Sequence, residues 1–298
     1  MATSSGDRDR PVFRFAPSPN GRLHLGHAFS ALMNEHLARR WGGRLLLRIE
    51  DIDVSRCRPE FEQGIHEDLA WLGIRFDAAI RRQSEHFDDY RAALGRLQTK
   101  ALIYPCFCSR GQIMRAVELK EAETGRPWPR DPDGSPLYPG TCCALLPDDA
   151  GKRAANGEAH VLRLAMGRAA AGIGGEVGYP RFDEDGRVTR VAAAPARWGD
   201  VVLARKDVPT SYHLAVVADD ALQGVTHVVR GRDLEAATDI HLVLQHLLDL
   251  PTPRYHFHRL LQDETGQKLA KSRMSEGLAE LRAQGVTAAD IRARLGFA

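Results

Sequence analysis

An α/β fold built on a parallel sheet is predicted by three features of this 298-residue sequence. Residues 12–16 form a short apolar run that stops at Pro17-Ser18-Pro19-Asn20-Gly21, a density of Pro and Gly that breaks a strand. Ala28, Phe29, Leu32, Met33, His36 and Leu37 then recur at the spacing of one helix face. A second apolar run, LLLRI over 45–49, reads as a buried strand. Strand, turn, helix, strand is the order of a parallel βαβ unit, which presents ligands at the C-terminal ends of its strands.

The later elements follow the same logic. Residues 61–72 and 87–99 carry the periodicity of amphipathic helices. From 104 to 149 the texture changes to Pro, Gly, Asp and Cys, which marks a loop-rich insertion. Order resumes near Val161, with strands expected at 200–204 and 226–230 and helices at 212–220 and 240–248 (IHLVLQHLL). Residues 172–178 and 192–196 are small-residue stretches, and there is neither an internal repeat nor a heptad pattern. Beyond a lysine-bearing loop at 268–272, residues 276–282 and 288–295 are periodic enough for two short helices.

Composition sets the class. With 43% hydrophobic and 27% charged residues the chain is of the ordinary globular kind, long enough for about two domains. No stretch is apolar enough to span a bilayer. The opening MATSSGDRDR has no apolar signal core, so a loose tail on a cytoplasmic protein is expected. A net charge of +2 neither points to nucleic acid nor excludes it, because a polyanion needs only a local basic face. Five cysteines are too few for a disulfide framework; Cys106, Cys108 and Cys142, with Cys143 beside them, suggest a metal instead.

Four constellations carry chemistry. In the run from Arg14 to His27 (RFAPSPNGRLHLGH), His24, Gly26 and His27 fall at a turn opening a helix, where backbone N–H groups and the helix dipole favour an anion. Gly26 lets a flat base or a backbone approach, and two imidazoles three apart can donate to triphosphate oxygens; an isolated pair of this spacing is equally a pair of satisfied surface histidines. Lys268-Leu269-Ala270-Lys271-Ser272 is by itself an ordinary solvated basic loop. In Leu47-Arg48-Ile49-Glu50-Asp51-Ile52-Asp53 a strand runs out into three acids, suited to an ammonium group, although Asp51 or Asp53 can equally cap the next helix. Finally, Cys106, Cys108, Tyr138 and Cys142 could close a tetrahedral zinc shell, with Cys143 leaving the register open.

Taken together, the Arg14–His27 run closely resembles the ATP-binding signature of class I aminoacyl-tRNA synthetases, in the form of their glutamyl branch. Lys268–Ser272 resembles that family's Lys-Met-Ser-Lys-Ser loop, departing at Ala270. The resemblance covers residues 12–272, including Val228-Val229-Arg230-Gly231. It implies a Rossmann-like sheet on which His24, Gly26, His27 and Lys271 bind ATP, with Mg2+, and His24, His27, Lys268 and Lys271 stabilise the charge building on the α-phosphate and pyrophosphate. It implies an L-glutamate site in which Glu50 takes the α-amino group, Arg14 and Arg230 the carboxylates, and Tyr212 a hydroxyl contact, beside Phe15, Ala16, Pro17 and Ser18. A core tyrosine is the other reading of Tyr212. It also implies one structural zinc on Cys106, Cys108, Tyr138 and Cys142, in an insertion that approaches RNA.

Two departures point within the family. Only residues 273–298 follow Ser272, too few for a helical anticodon-reading domain, and Phe29-Ser30 stand where full-length glutamyl enzymes carry an arginine-threonine pair. Both features resemble the family's short branch, which activates glutamate without tRNA and transfers it to queuosine in the anticodon loop of tRNA(Asp). The resulting expectation is a tail over 1–10 and the first half of a nucleotide-binding catalytic domain over 11–103. A zinc-bearing insertion over 104–150 follows, then the rest of the insertion and the second catalytic half over 151–250. The lysine loop and a short helical C-terminus fill 251–298. The chain is expected to act as a monomer.

Overall fold

Period-two alternation decides which way the first two strands face. In β1 (Val12–Phe15) Phe13 and Phe15, and in β2 (Arg44–Ile49) Leu45, Leu47 and Ile49, all enter one core cluster. The intervening Val12 and Leu46 enter another on the opposite face, which is therefore also the face of Arg14 and Arg48. The strands are parallel, with Arg14 opposite Leu46, and β2 pairs in parallel with β3 (Arg81–Arg82). The computed structural model that shows this describes residues 10–261 and 276–297.

The crossover between β1 and β2 is α1 (Leu25–Arg40), which buries Ala28, Phe29, Leu32, Met33 and Leu37 against the first cluster. Arg39 and Arg40 in its last turn suit the negative end of the helix dipole. The helices α2 (Pro59–Trp71) and α3 (Phe87–Thr99) stand within a few residues of where periodicity predicts them.

A second sheet joins β9 (His227–Gly231), β10 (Arg254–His258) and β6 (Gly178–Phe182) in parallel, with β7 (Val188–Ala192) antiparallel at its edge. It meets β1 edge to edge: the Thr226 N–H donates to the Val12 carbonyl at 3.0 Å, and Asn34 of α1 reaches the Val229 carbonyl at 3.2 Å. The predicted parallel sheet is thus built as two adjoining sheets among the described residues. On their far side α7 (Tyr212–Leu222) and α8 (Thr238–Leu247) bury nearly continuous apolar surface with α3.

The insertion is more ordered than its composition suggests. β4 (Ile103–Cys106), β5 (Val161–Leu164) and β8 (Val202–Ala204) form an antiparallel sheet. The stretch read as loop-rich, 104–149, holds α4 (Arg110–Thr124), and α5 (Pro147–Ala155) begins at its end. α4 escapes a periodicity reading because it buries only Val117; its ends are set locally instead, by a Ser109/Gln112 capping box and by Gly125 at φ 64°. The stretch 172–178 contains the end of α6 (Met166–Ile173) and the start of β6. At the C-terminus α9 (Leu278–Ala283) and α10 (Ala288–Leu295) send Leu278, Leu281, Ile291 and Leu295 into the first core cluster. No described helix is long and apolar enough to cross a membrane.

Candidate active site and thiol cluster

His24 is the N-cap of α1, and its Nδ1 accepts the Gly26 N–H at 3.0 Å. His27 Nδ1 in turn accepts the His24 N–H at 3.2 Å, and the two rings lie 3.9 Å apart. Because both Nδ1 atoms accept, each neutral ring carries its proton on Nε2. Gly26 is required for a reason the sequence does not state: a Cβ there would come within 2.9 Å of the folded-over His24 ring itself.

A cleft of about 480 Å³ opens at this turn. Its wall includes Arg14, Phe15, Ala16, Pro17 and Ser18 from the end of β1, His24, Gly26 and His27, Glu50 past the end of β2, Tyr212 at the start of α7, and Arg230 on β9. Every described residue singled out from the sequence for nucleotide or amino acid therefore meets in one cavity, at strand C-terminal ends. Lys268 and Lys271 lie outside the described residues. The described residues that flank them in sequence are Leu261, on the cleft wall, and Glu276, next to Gly277, which pairs with His24 across an antiparallel bridge.

Arg230 is held from three sides. It donates to the Tyr212 hydroxyl oxygen at 3.3 Å, to Thr238 Oγ1 at 2.8 Å and to His241 Nδ1 at 3.1 Å. A guanidinium can only donate, so His241 accepts on Nδ1, carries its proton on Nε2 and donates that N–H to His213 Nδ1 at 3.3 Å. Burial, aided by Arg230, keeps both imidazoles neutral: it lowers His213 to about 4 and His241 well below its ordinary value. Burial likewise raises the Tyr212 hydroxyl, which stays protonated.

A network that sequence reading missed lies behind Arg14 and Glu50. Arg48 is fully buried and donates to Asp220 Oδ1 at 2.8 Å and Gln223 Oε1 at 3.0 Å, and lies 3.5 Å from Glu50 Oε1. Asp220 Oδ1 also receives Arg14 Nε at 3.1 Å. Burial alone would raise the Asp220 carboxyl, but Arg14 and Arg48 outweigh it and hold it down; at Glu50 burial wins over the same two arginines and the carboxyl is raised. The available signal was alternation, since Arg48 on β2 and Glu50 just past its end are two apart, and the strand's other face is wholly apolar.

Neither Asp51 nor Asp53 caps the next helix, correcting that reading. Asp51 accepts the Ser84 N–H and hydroxyl at 2.9 and 2.5 Å, Asp53 ties down Ser55 and Arg56, and α2 starts at Arg58 without a side-chain cap.

The thiols of Cys106, Cys108 and Cys142 lie within 4.8 Å of one another. The Tyr138 hydroxyl sits 3.2 Å from Cys106 Sγ and 3.6 Å from Cys108 Sγ, and Cys108 Sγ is 3.4 Å from Cys142 Sγ. Cys142 is buried in this cluster whereas Cys143 is exposed. Burial pushes the Cys108 thiol up to about 11; at Cys142 burial also acts upward but hydrogen bonds from Tyr138 and the Phe107 N–H bring the thiol below its usual value. A second cavity of about 770 Å³ runs between this cluster and the cleft, sharing Ser18, Asn20, Glu50 and Tyr212 with it and lined also by Arg56, Arg110, Arg163, Arg205 and His213.

Comparison with known proteins agrees with this geometry. The family model described as tRNA synthetases class I (E and Q), catalytic domain, matches residues 12–292. A protein of Rhodobacter capsulatus named glutamyl-Q tRNA(Asp) synthetase is 47% identical over 96% of this chain and 100% of its own length. A protein of the same name from Symbiobacterium thermophilum is 38% identical over 95% of this chain and 85% of its own. Among solved structures, a glutamate tRNA ligase of Elizabethkingia meningosepticum in complex with its amino acid superimposes with a TM-score of 0.72 at 26% identity. That match covers 89% of this chain and 52% of the ligase, so the chain spans about half of that protein.

Proposed function

The chain belongs to the class I tRNA synthetases of the E and Q type, and from that premise we propose that it is an ATP-dependent ligase that activates L-glutamate and transfers it to queuosine in the anticodon loop of tRNA(Asp). The observation that carries this reading is the convergence of Arg14, Glu50, Tyr212 and Arg230 with the His24–His27 turn in one cleft, in a chain that aligns with the whole of the Rhodobacter protein.

In the first step the α-carboxylate of glutamate attacks the α-phosphorus of ATP, which enters with Mg2+, and pyrophosphate leaves. Glu50 receives the α-ammonium, and the guanidinium groups of Arg14 and Arg230 receive carboxylate. Tyr212 accepts from Arg230, so its own proton is available to donate to the side-chain carboxylate. The Nε2–H groups of His24 and His27, with the N-terminal end of α1, meet the phosphate oxygens. Lys268 and Lys271 are assigned the departing pyrophosphate on the strength of their motif. In the second step a hydroxyl of the modified nucleoside attacks the acyl carbonyl of glutamyl-adenylate and AMP leaves. The larger cavity reaches Glu50 and Tyr212 and has room for an RNA segment entering beside the adenylate; its wall mixes Arg56, Arg110, Arg163 and Arg205 with Glu50, Asp53, Asp131, Asp133 and Asp200.

Zinc fits the thiol cluster. Four ligands around tetrahedral zinc stand about 3.5–3.8 Å apart for thiolate and oxygen donors; the Cys106–Tyr138, Cys108–Tyr138 and Cys108–Cys142 separations are 3.2, 3.6 and 3.4 Å, and all three thiols lie within 4.8 Å of one another. Its role there is structural, tying β4 to the 138–142 turn.

The test is to incubate the protein with labelled glutamate and ATP and offer tRNA(Asp) with queuosine, tRNA(Asp) without it, and tRNA(Glu). Label confined to the anticodon loop of the first is the expected result. Label at the 3′ end of tRNA(Glu) would mean an ordinary charging enzyme instead, and pyrophosphate exchange that requires tRNA would contradict tRNA-independent activation.

A further inference from the structure

Arg48 does not line either cavity, yet it is a fully buried charge beside the amino-acid pocket. An arginine on an interior strand face loses its hydration, and only partners in good geometry offset that cost. Its partners here are the pocket's own parts. One oxygen, Asp220 Oδ1, takes both Arg48 at 2.8 Å and Arg14 at 3.1 Å, and Arg48 also stands 3.5 Å from Glu50. Gln223 Oε1 takes Nη1 at 3.0 Å, while Nε, 3.9 Å from Asp219 Oδ2, makes no hydrogen bond. The neighbouring Asp219 is already engaged by Arg81 at 2.7 Å, Gln83 at 2.8 Å and Tyr90 at 2.9 Å.

Arg14, Arg48 and Arg81 thus interleave with Glu50, Asp219 and Asp220, and Arg81 also pairs outward with Asp89. Without Arg48, Asp220 would be left with Arg14 alone and would draw that guanidinium toward itself. Glu50 would face two aspartates with less compensation, in a buried place that already disfavours its anion.

We propose that Arg48 is the positioning residue of the amino-acid pocket: through Asp220 it holds Arg14 aimed into the cleft, and beside Glu50 it holds that carboxyl group in place for the substrate's ammonium. The proposal rests on the reading of this cleft as the glutamate site. α7 is the element that makes it possible, because Tyr212 at its first turn lines the cleft while Asp220 and Gln223 near its end grip Arg48.

Glutamate-dependent pyrophosphate exchange on the full chain tests it. Arg48→Met is expected to raise KM for glutamate about tenfold or more while KM for ATP stays within about threefold. Asp220→Asn, which keeps the shape of the shared partner, is expected to give the same split and serves if Arg48→Met fails to fold. Combined with Glu50→Gln, Arg48→Met should add little to the glutamate KM, because much of its action runs through the lost carboxylate. Equal rises in both KM values, or full additivity with Glu50→Gln, would overturn the positioning role. If Glu50→Gln itself leaves the glutamate KM unchanged, the glutamate-site reading falls and this inference with it; if Glu50→Gln matters and both network variants do not, this inference alone falls.

Discussion

At the scale of single residues, the pocket works through protonation states that its surroundings dictate. Arg230 can only donate, so it orders the protons of Tyr212, His241 and His213 in turn. Glu50 is the member most exposed to pH. Burial raises its carboxyl above the ordinary 4.5, against the pull of Arg48 and Arg14. As pH falls, Glu50 therefore takes up its proton earlier than an ordinary carboxylate and loses its attraction for an ammonium group. The expected outcome is an acid limb in kcat/KM for glutamate that begins above the usual carboxylate range and is absent from a Glu50→Gln variant, read from pyrophosphate exchange against pH. A profile identical in the two proteins would remove Glu50 from ammonium binding. Stability carries the opposite sign. A folded-state pKa above the unfolded one gives a contribution that is fully present below the unfolded pKa and is lost as pH rises through the folded one. Acid thus favours the empty pocket, and neutral pH favours the loaded one.

At the scale of elements, what was legible in the sequence followed from burial on one face. β1, α1, β2, α7, β9 and α8 announce themselves by periodicity, and motifs sit at their ends where a parallel sheet puts its ligands. α4 was invisible because a solvent-facing helix has no apolar stripe to read, and Arg48 was passed over because a charge inside a strand is judged by partners 172 residues away. The thiol cluster lies between these cases: spacing and resemblance suggest a metal there but leave Cys142 and Cys143 as alternatives, and only the fold turns Cys142 inward and Cys143 out. If one zinc holds β4 to the 138–142 turn, metal analysis should find about one zinc per chain, and Cys142→Ser should lose it while Cys143→Ser keeps it. Chelation is expected to lower Tm by at least several degrees, since structural zinc binding is folding free energy. Equal zinc retention in both serine variants would discard the tetrad.

At the scale of the whole molecule, the far end of the chain supports its beginning. Leu278 and Leu281 of α9 are 0% and 4% exposed, packed in the cluster that contains Phe13, Phe29 and Leu32. Arg292 of α10 reaches Glu35 of α1 at 2.6 Å and the Leu72 carbonyl at 3.0 Å. The Leu278 N–H donates to the Leu23 carbonyl at 2.9 Å, one residue before the His24 cap. Periodicity over 276–282 could suggest a helix there, but not that it would buttress a turn some 250 positions earlier. Leu281→Ala would remove buried methyl groups from that support, at a cost of about 2–4 kcal/mol. It should therefore lower the midpoint of chemical denaturation and also loosen the His24–His27 turn. The effect should fall on one substrate: KM for ATP rises by a few fold under conditions where the variant remains folded, while KM for glutamate, set by β1, β2, α7 and β9, moves less. The comparison needs both constants on the same preparation, with circular dichroism confirming a folded protein at the assay temperature. A Leu281→Ala protein that is destabilised with both KM values unchanged would make α9 a structural cap only. A rise in the glutamate KM alone would tie the C-terminal helices to the amino-acid pocket instead of the nucleotide turn.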